Sequence, residues 1–256
     1  MFDDVRDLAP TGPPGLVPPS DLVARVVANV ERVRERIASA AADAGRDPAS
    51  VRLLVATKTQ PASAVLAAVA AGVDLVGENR VQELVAKAPA LHDDVAAGRL
   101  RAHLIGHLQS NKVNAVVGLA SCVETVDSLG LAQRLSRRAV AVGSDLDVMV
   151  QVNVSGESSK SGISPDRAAA LALAVAALPR IHLTGFMTIG ARTTDDTTVR
   201  RGFACLRDLR DDVRGQAAGT SGAVELSMGM SGDLELAVTE GATIVRVGTA
   251  VFGARA

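Results

Sequence analysis

One lysine stands where an apolar run ends, in the stretch Val51-Arg-Leu-Leu-Val-Ala-Thr-Lys-Thr-Gln-Pro61. Five of the seven residues before Lys58 are Val, Leu or Ala, the composition of a strand buried on both faces, and Pro61 stops that strand. At the edge of a core, burial disfavours the charged ammonium, so an amine able to attack a carbonyl is expected there. Schiff-base chemistry is one reading of Lys58. A lysine that snorkels to water from a strand end is the other.

Further polar residues follow other apolar runs. Gly77-Glu-Asn-Arg80 offers Asn79 as a hydrogen-bonding partner for a ring substituent, with Glu78 or Arg80 to orient it, or else is an ordinary helix start. In Ile105-Gly-His-Leu-Gln-Ser-Asn-Lys112, His107 suits stacking or hydrogen bonding, or simply belongs to a polar helix opening. His103 and His107 are separated by a strand-to-loop break, and no other His, Cys or acid cluster completes a zinc site, so a metal is not expected. The loop Asn153 to Gly162, with Lys160, reads as a lid, an anion-binding loop or a merely mobile segment. Met187 ends a strand where it either packs on a flat ligand or belongs to the core.

The carboxyl-terminal stretch is more specific. Ser227-Met-Gly-Met-Ser231 leads through Gly232-Asp233 into a helix, and Val247-Gly-Thr-Ala250 follows an apolar run interrupted by Arg246. Ser231, Gly248 and Thr249 supply two hydroxyls and an unhindered amide, donors suited to a phosphate. A guanidinium inside an apolar strand requires a partner, either an acid or a ligand atom.

The elements that must position these residues are short β-branched runs alternating with Ala-rich amphipathic segments. Strands are expected over 51–57, 73–77, 102–106, 122–125, 146–153, 181–187, 224–227 and 243–247, eight in all. Helices between them are expected over 128–140, after Asp127, and over 164–178, opened by Ser164-Pro165. Such a series fits a single closed (β/α)₈ barrel, whose strand ends share one mouth. An open doubly wound sheet competes poorly, because no Gly-x-Gly-x-x-Gly follows a strand and Met228-Gly-Met-Ser-Gly232 has the wrong spacing. A preceding helix, capped by Ser20, carries Leu22, Val26, Val30, Val33 and Ile37 at helical spacing. Residues 1–19 hold five prolines and read as a disordered arm outside the barrel domain of 20–256.

Length and composition agree. With 256 residues, 48% of them hydrophobic, the chain suffices for one large α/β core and not comfortably for two. A formal net charge of −1 leaves no footprint for nucleic acid or an anionic membrane surface. Cys122 and Cys205 lie far apart in apolar patterns, as packed thiols of a reduced, cytoplasmic protein do. Asp3, Asp4 and Asp7 replace the basic start of a signal peptide, and no apolar run has membrane-spanning character.

Taken together, Ala56-Thr-Lys-Thr-Gln-Pro61, Gly77-Glu-Asn79, Ile105-Gly-His-Leu-Gln109, the Ser155 to Gly162 loop, Leu226 to Ser231 and Val245-Arg-Val-Gly-Thr249 resemble the pyridoxal phosphate homeostasis protein family. The likeness runs over nearly the whole chain after Ser20. It implies an alanine racemase N-terminal-type TIM barrel, with pyridoxal 5'-phosphate held as an aldimine on Lys58. By motif, it further implies that Ser231, Gly248 and Thr249 hold the phosphate, that Arg246 faces the pyridine nitrogen, and that Asn79, His107 and Met187 contact the ring. The resemblance implies a cofactor carrier and not an enzyme, serving pyridoxal-phosphate-dependent apoenzymes as a monomer. Two departures stand out: the Pro-rich arm, and Gln60 where a basic residue is common. A racemase or decarboxylase is the enzymic alternative, although the chain holds no tyrosine for the second acid or base and ends soon after the eighth strand. A Schiff-base aldolase on a sugar phosphate is a third.

Overall fold

The computed structural model describes residues 16–157 and 160–253. Among them, eight parallel strands close in sequence order: β1 (Arg52–Ala56), β2 (Leu75–Glu78), β3 (Arg101–Leu104), β4 (Cys122–Val126), β5 (Leu146–Gln151), β6 (Ile181–Met187), β7 (Glu225–Ser227) and β8 (Ile244–Val247). The helices are α1 (Ser20–Asp43), α2 (Ala62–Ala70), α3 (Val81–Ala96), α4 (Val113–Val116), α5 (Leu129–Val142), α6 (Pro165–Ala176), α7 (Asp196–Val213), α8 (Leu234–Thr239) and α9 (Thr249–Phe252). The expected closed (β/α)₈ barrel with a preceding helix is therefore the observed fold.

Side-chain alternation divides the core in two. Leu54, Ala56, Leu75, Ile105, Cys122, Met149, Met187 and Ile244 fill the barrel, while Leu53, Val55, Val76, Val123 and Val245 belong to the larger cluster shared with the helices. Closure of β1 on β8 pairs Val55 with Val247. Their loops thus begin side by side, bringing residue 58 next to residues 248 and 249.

Helix α1 buries Val26, Val30, Val33, Ile37, Ala40 and Ala41 and packs against α2, α8 and α9. Each fully buried valine or isoleucine there contributes about 1.5–3 kcal/mol relative to exposure. The helix stops at Gly45, which takes φ +66° while Gly45 N donates to Ala42 O and Arg46 N to Ala41 O, a paired closure that a Cβ would strain.

Several boundaries differ from expectation. Strands β1, β5, β7 and β8 are shorter than their apolar runs; before β1, Val51 N turns back to Pro48 O at 3.2 Å and does not pair with a neighbouring strand. Strand β2 starts later and includes Glu78, placing that carboxylate in the sheet instead of a loop. Ser20 is the first residue of α1, not its cap; Pro19 occupies the cap position and offers no side-chain acceptor. Helix α5 starts one residue later than expected and continues to Val142, closed by Gly143 at φ +70°. Of the expected arm, residues 1–15 lie outside the described residues, while Leu16 packs on the core and Pro18 is buried.

Candidate functional site

The mouth of the barrel holds a cavity of about 250 Å³ lined by Ala56, Lys58, Asn79, Ile105, Met187, Ile189, Met230, Ser231, Gly232, Arg246, Gly248 and Thr249. Of the strand-end residues singled out from the sequence, Lys58, Asn79, Met187, Ser231, Arg246, Gly248 and Thr249 line it, whereas Glu78 and Arg80 do not, and His107 is largely exposed with Nδ1 3.9 Å from an oxygen of Asp127. Lys160 also lies apart. Its Nζ donates to Glu157 Oε1 at 2.5 Å and to Gly190 O at 2.9 Å, fastening the long loop to the one after β6. Ser158 and Ser159 of that loop lie outside the described residues.

Of the two placements weighed for Lys58, buried at the core edge or reaching water from the strand end, the structure shows the second. Thr57 takes the last buried position of the run, and Thr59 then adopts φ +64°, lifting the chain into a turn closed by Gln60 N on Thr57 O at 3.0 Å. Lys58 therefore stands on the cavity rim with its amine reachable from water.

Asn79 owes its place to a neighbouring glycine. A Cβ on Gly106 would lie 2.0 Å from Asn79 O, so only glycine lets the loop after β3 pass this close to the loop after β2.

The wall next to Lys58 is built by the last two strands. Gly229 accepts from Arg246 N through its carbonyl at 2.9 Å, and Met230 N donates to Asp233 Oδ1 at 2.6 Å, which folds the loop carrying Ser231. Helix α1 buttresses this wall: Arg36 donates to Ser231 O at 3.0 Å and to Glu235, and Asn29 Nδ2 donates to Val251 O at 2.7 Å. The amino-terminal helix thus fixes both the Ser231 loop and the turn that begins at Thr249.

Arg246 is the floor. It is buried, with Nη1 donating to Ser227 Oγ at 2.8 Å and Nη2 to Thr188 O at 2.7 Å. Ser227 in turn donates to Glu124 Oε2 at 2.5 Å, and Glu124 Oε1 lies 2.7 Å from His103 Nδ1. Burial pushes the Glu124 carboxyl up, but the hydrogen bond and charge of His103, then Arg246 and Ser227, outweigh it and hold the group below its ordinary value. An ionised carboxylate only accepts, so His103 Nδ1 carries the shared hydrogen. Burial lowers Arg246, opposed by the charges of Glu124 and Asp233. The partner required by the sequence is therefore an acid reached through a serine, with one side of the guanidinium region left on the cavity.

Glu124, Ser227, Thr188 and His103 were not recognised as a set in the sequence. The signal was present in Cys122-Val-Glu-Thr-Val126, where the period of two puts Glu124 on the same inward face as Cys122. Burial, then the charges of Glu124 and Asp147, raises the Cys122 thiol well above its ordinary value, consistent with a packed, unreactive cysteine. Among the described residues no cluster of His, Cys, Asp or Glu suits a metal ion.

The donor set fits an aldehyde that carries an anionic tail. An amine stands on the rim beside Gly248 and Thr249, Ser231 and Arg246 line the same cavity, and Met187, Ile105 and Ile189 provide apolar walls. At Gly248 an added Cβ would reach to 3.0 Å from Ala56 O, so the wall is already at contact distance there.

Comparisons with known proteins agree with this geometry. The sequence pattern of the alanine racemase N-terminal domain matches residues 26–256. A pyridoxal phosphate homeostasis protein of Pseudomonas aeruginosa is 46% identical over 230 residues, covering 90% of this chain and 96% of that protein. The crystal structure of an unknown protein from Bifidobacterium adolescentis is 47% identical with a TM-score of 0.88, over 92% of this chain and 98% of the other. PipY of Synechococcus elongatus PCC7942, solved with PLP bound, is 36% identical with a TM-score of 0.73, over 86% of this chain and 100% of the other. On the sequence match, the barrel and the residues assembled at its mouth, the chain belongs to the pyridoxal phosphate homeostasis protein family, built on the alanine racemase N-terminal domain.

Proposed function

We propose that this chain binds pyridoxal 5'-phosphate in the mouth cavity, holds it as a Schiff base on Lys58 and passes it to apoenzymes that need it, keeping the free aldehyde scarce. The observation that carries this reading is the convergence of Lys58, Arg246, Ser231, Gly248 and Thr249 on one cavity. The relatives' names and the PLP-bound PipY structure support the same ligand. Lys58 would hold the cofactor through its aldehyde carbon, the carbonyl oxygen leaving as water, and the bound cofactor would supply the visible absorbance that reports the attachment. Ser231, Gly248 and Thr249 hold the phosphate, Asn79 and Met187 border the ring, and His107, away from the cavity, has no assigned part. The protein is proposed to act as a monomer in the cytoplasm; no helix among the described residues is long and apolar enough to cross a membrane.

Two features favour a carrier over a racemase or decarboxylase. Arg246, were it to face the pyridine nitrogen, would disfavour its protonation, and bound pyridoxal phosphate would supply electron-sink chemistry most strongly when that nitrogen is protonated. Racemisation also needs a second acid or base across the substrate carbon, whereas Lys58 and Arg246 are the only ionisable side chains among the described lining residues.

Two measurements test the role. Holoprotein mixed with the apo form of a pyridoxal-phosphate enzyme should restore that enzyme's activity, with loss of visible absorbance from the donor. L-alanine and other amino acids incubated with holoprotein should keep their enantiomer composition and remain undecarboxylated; turnover well above that of free cofactor would establish the enzymic reading instead. Gly248→Ala should weaken binding of pyridoxal 5'-phosphate about tenfold, because the new methyl crowds a wall already in contact. Equilibrium titration checks it, and unchanged affinity would move the phosphate away from Gly248.

A further inference from the structure

We propose that Lys87, acting with Glu78 and Glu83, is a positioning residue that aims Lys58 at the cavity. The inference rests on the binding reading above and adds residues outside the mouth to it.

Lys58 is exposed, with a flexible stem, so the protein controls its amine chiefly by fixing the backbone from which it springs. Both flanking residues are clamped from β2 and α3. Thr57 N donates to Gly77 O at 2.9 Å, and Thr57 Oγ1 donates to Glu78 Oε1 at 2.5 Å. Lys87 Nζ donates to Thr57 O at 2.8 Å and to Glu78 Oε1 at 2.6 Å. On the other side Thr59 N donates to Glu83 Oε2 at 2.6 Å, and that same oxygen lies 3.5 Å from Lys87 Nζ. Thr59 needs such restraint: at φ +64° a β-branched residue persists only where its surroundings impose the conformation.

The geometry is poorly suited to stability alone. Lys87 and Glu78 are both buried, yet Glu78 Oε2 has no hydrogen-bond partner among the described residues. Burial pushes the Glu78 carboxyl up against the pull of Lys87 and Thr57. An ammonium that served only the ion pair would bridge both carboxylate oxygens; this one turns a donor to the carbonyl preceding Lys58. Such fixing brings an amine and a carbonyl into attack geometry before they react.

The test compares two ligands on the ligand-free chain. Pyridoxal 5'-phosphate reports covalent attachment through visible absorbance. Pyridoxamine 5'-phosphate has the same ring and phosphate but no aldehyde, and its affinity is measured by calorimetry. Lys87→Met should slow covalent attachment about tenfold or more, and Glu83→Ala about threefold, with pyridoxamine 5'-phosphate affinity held within about twofold. Glu83→Gln, whose amide oxygen still accepts from Thr59 N, should recover the rate. Unchanged attachment rates in folded variants, or equal weakening of both ligands, would overturn the positioning role. Should Lys87→Met fail to fold, the Glu83→Ala and Glu83→Gln pair decides the matter on the same criteria. Failure of the unsubstituted chain to attach pyridoxal 5'-phosphate while still binding pyridoxamine 5'-phosphate would reject Lys58 as the reacting amine, and the positioning role with it.

Discussion

Lys58→Ala is expected to abolish the borohydride-fixable adduct with pyridoxal 5'-phosphate while leaving the barrel as stable as before. The chain contains four lysines, and the other three are placed where they cannot substitute. Lys87 is buried with its ammonium bound to Thr57 O and Glu78, and Lys160 is tied to Glu157 and Gly190 O. Lys112 closes a 3-10 turn after β3 and is not among the residues lining the cavity. Because Lys58 is exposed, removing its side chain should change unfolding free energy by no more than about 0.5 kcal/mol. Intact mass after reduction, alongside urea unfolding, checks both halves. Residual adduct at the wild-type yield would relocate the reacting amine.

Arg246→Met has the opposite signature, a large cost in stability together with lost binding. The substitution strands Glu124, fully enclosed and ionised, with Ser227 and His103 as its remaining partners. Breaking a buried charged network by removing one side costs about 3–5 kcal/mol. Removing both charges in Arg246→Met/Glu124→Gln should return part of that loss, since no unpaired charge is then left inside the barrel. Urea unfolding of the three proteins at neutral pH measures the difference. A loss below about 1 kcal/mol for Arg246→Met would mean that Glu124 is balanced by His103 alone.

The same network sets an acid limit. Glu124 is held below its ordinary value of 4.5 in the folded chain, so the stability it contributes is present above that value and disappears as pH falls through the lowered one. Wild-type stability should therefore fall below about pH 4.5 more steeply than that of Glu124→Gln, which has no proton to take up at this position.

Much of this was legible in the sequence, for identifiable reasons. Arg246 betrayed itself because a charge inside Thr-Ile-Val-Arg-Val-Gly has no solvated face available, and the structure buries it. Ser231, Gly248 and Thr249 were readable because strand ends in a closed barrel share a mouth. The exposure of Lys58 was left open by the sequence. Composition marks where an apolar run ends, but the left-handed turn at Thr59 depends on Glu83, a residue contributed by another element. Lys87 was invisible for a related reason: a Glu and a Lys at i,i+4 are the ordinary pairing of an exposed helix face, and only the fold of α3 against β2 turns Glu83 and Lys87 toward Thr59 and Thr57. His107 failed the other way, since a histidine after a strand reads as a mouth residue while its side chain here lies near Asp127.

The central claim is that one particular amine at the barrel mouth captures the aldehyde. The direct measurement is peptide mapping of the 256-residue chain after loading with pyridoxal 5'-phosphate and reduction with borohydride. The reduced label is predicted on the peptide containing Lys58 alone, at close to one equivalent per chain. Label on Lys87, Lys112 or Lys160 with Lys58 unmodified would contradict the account.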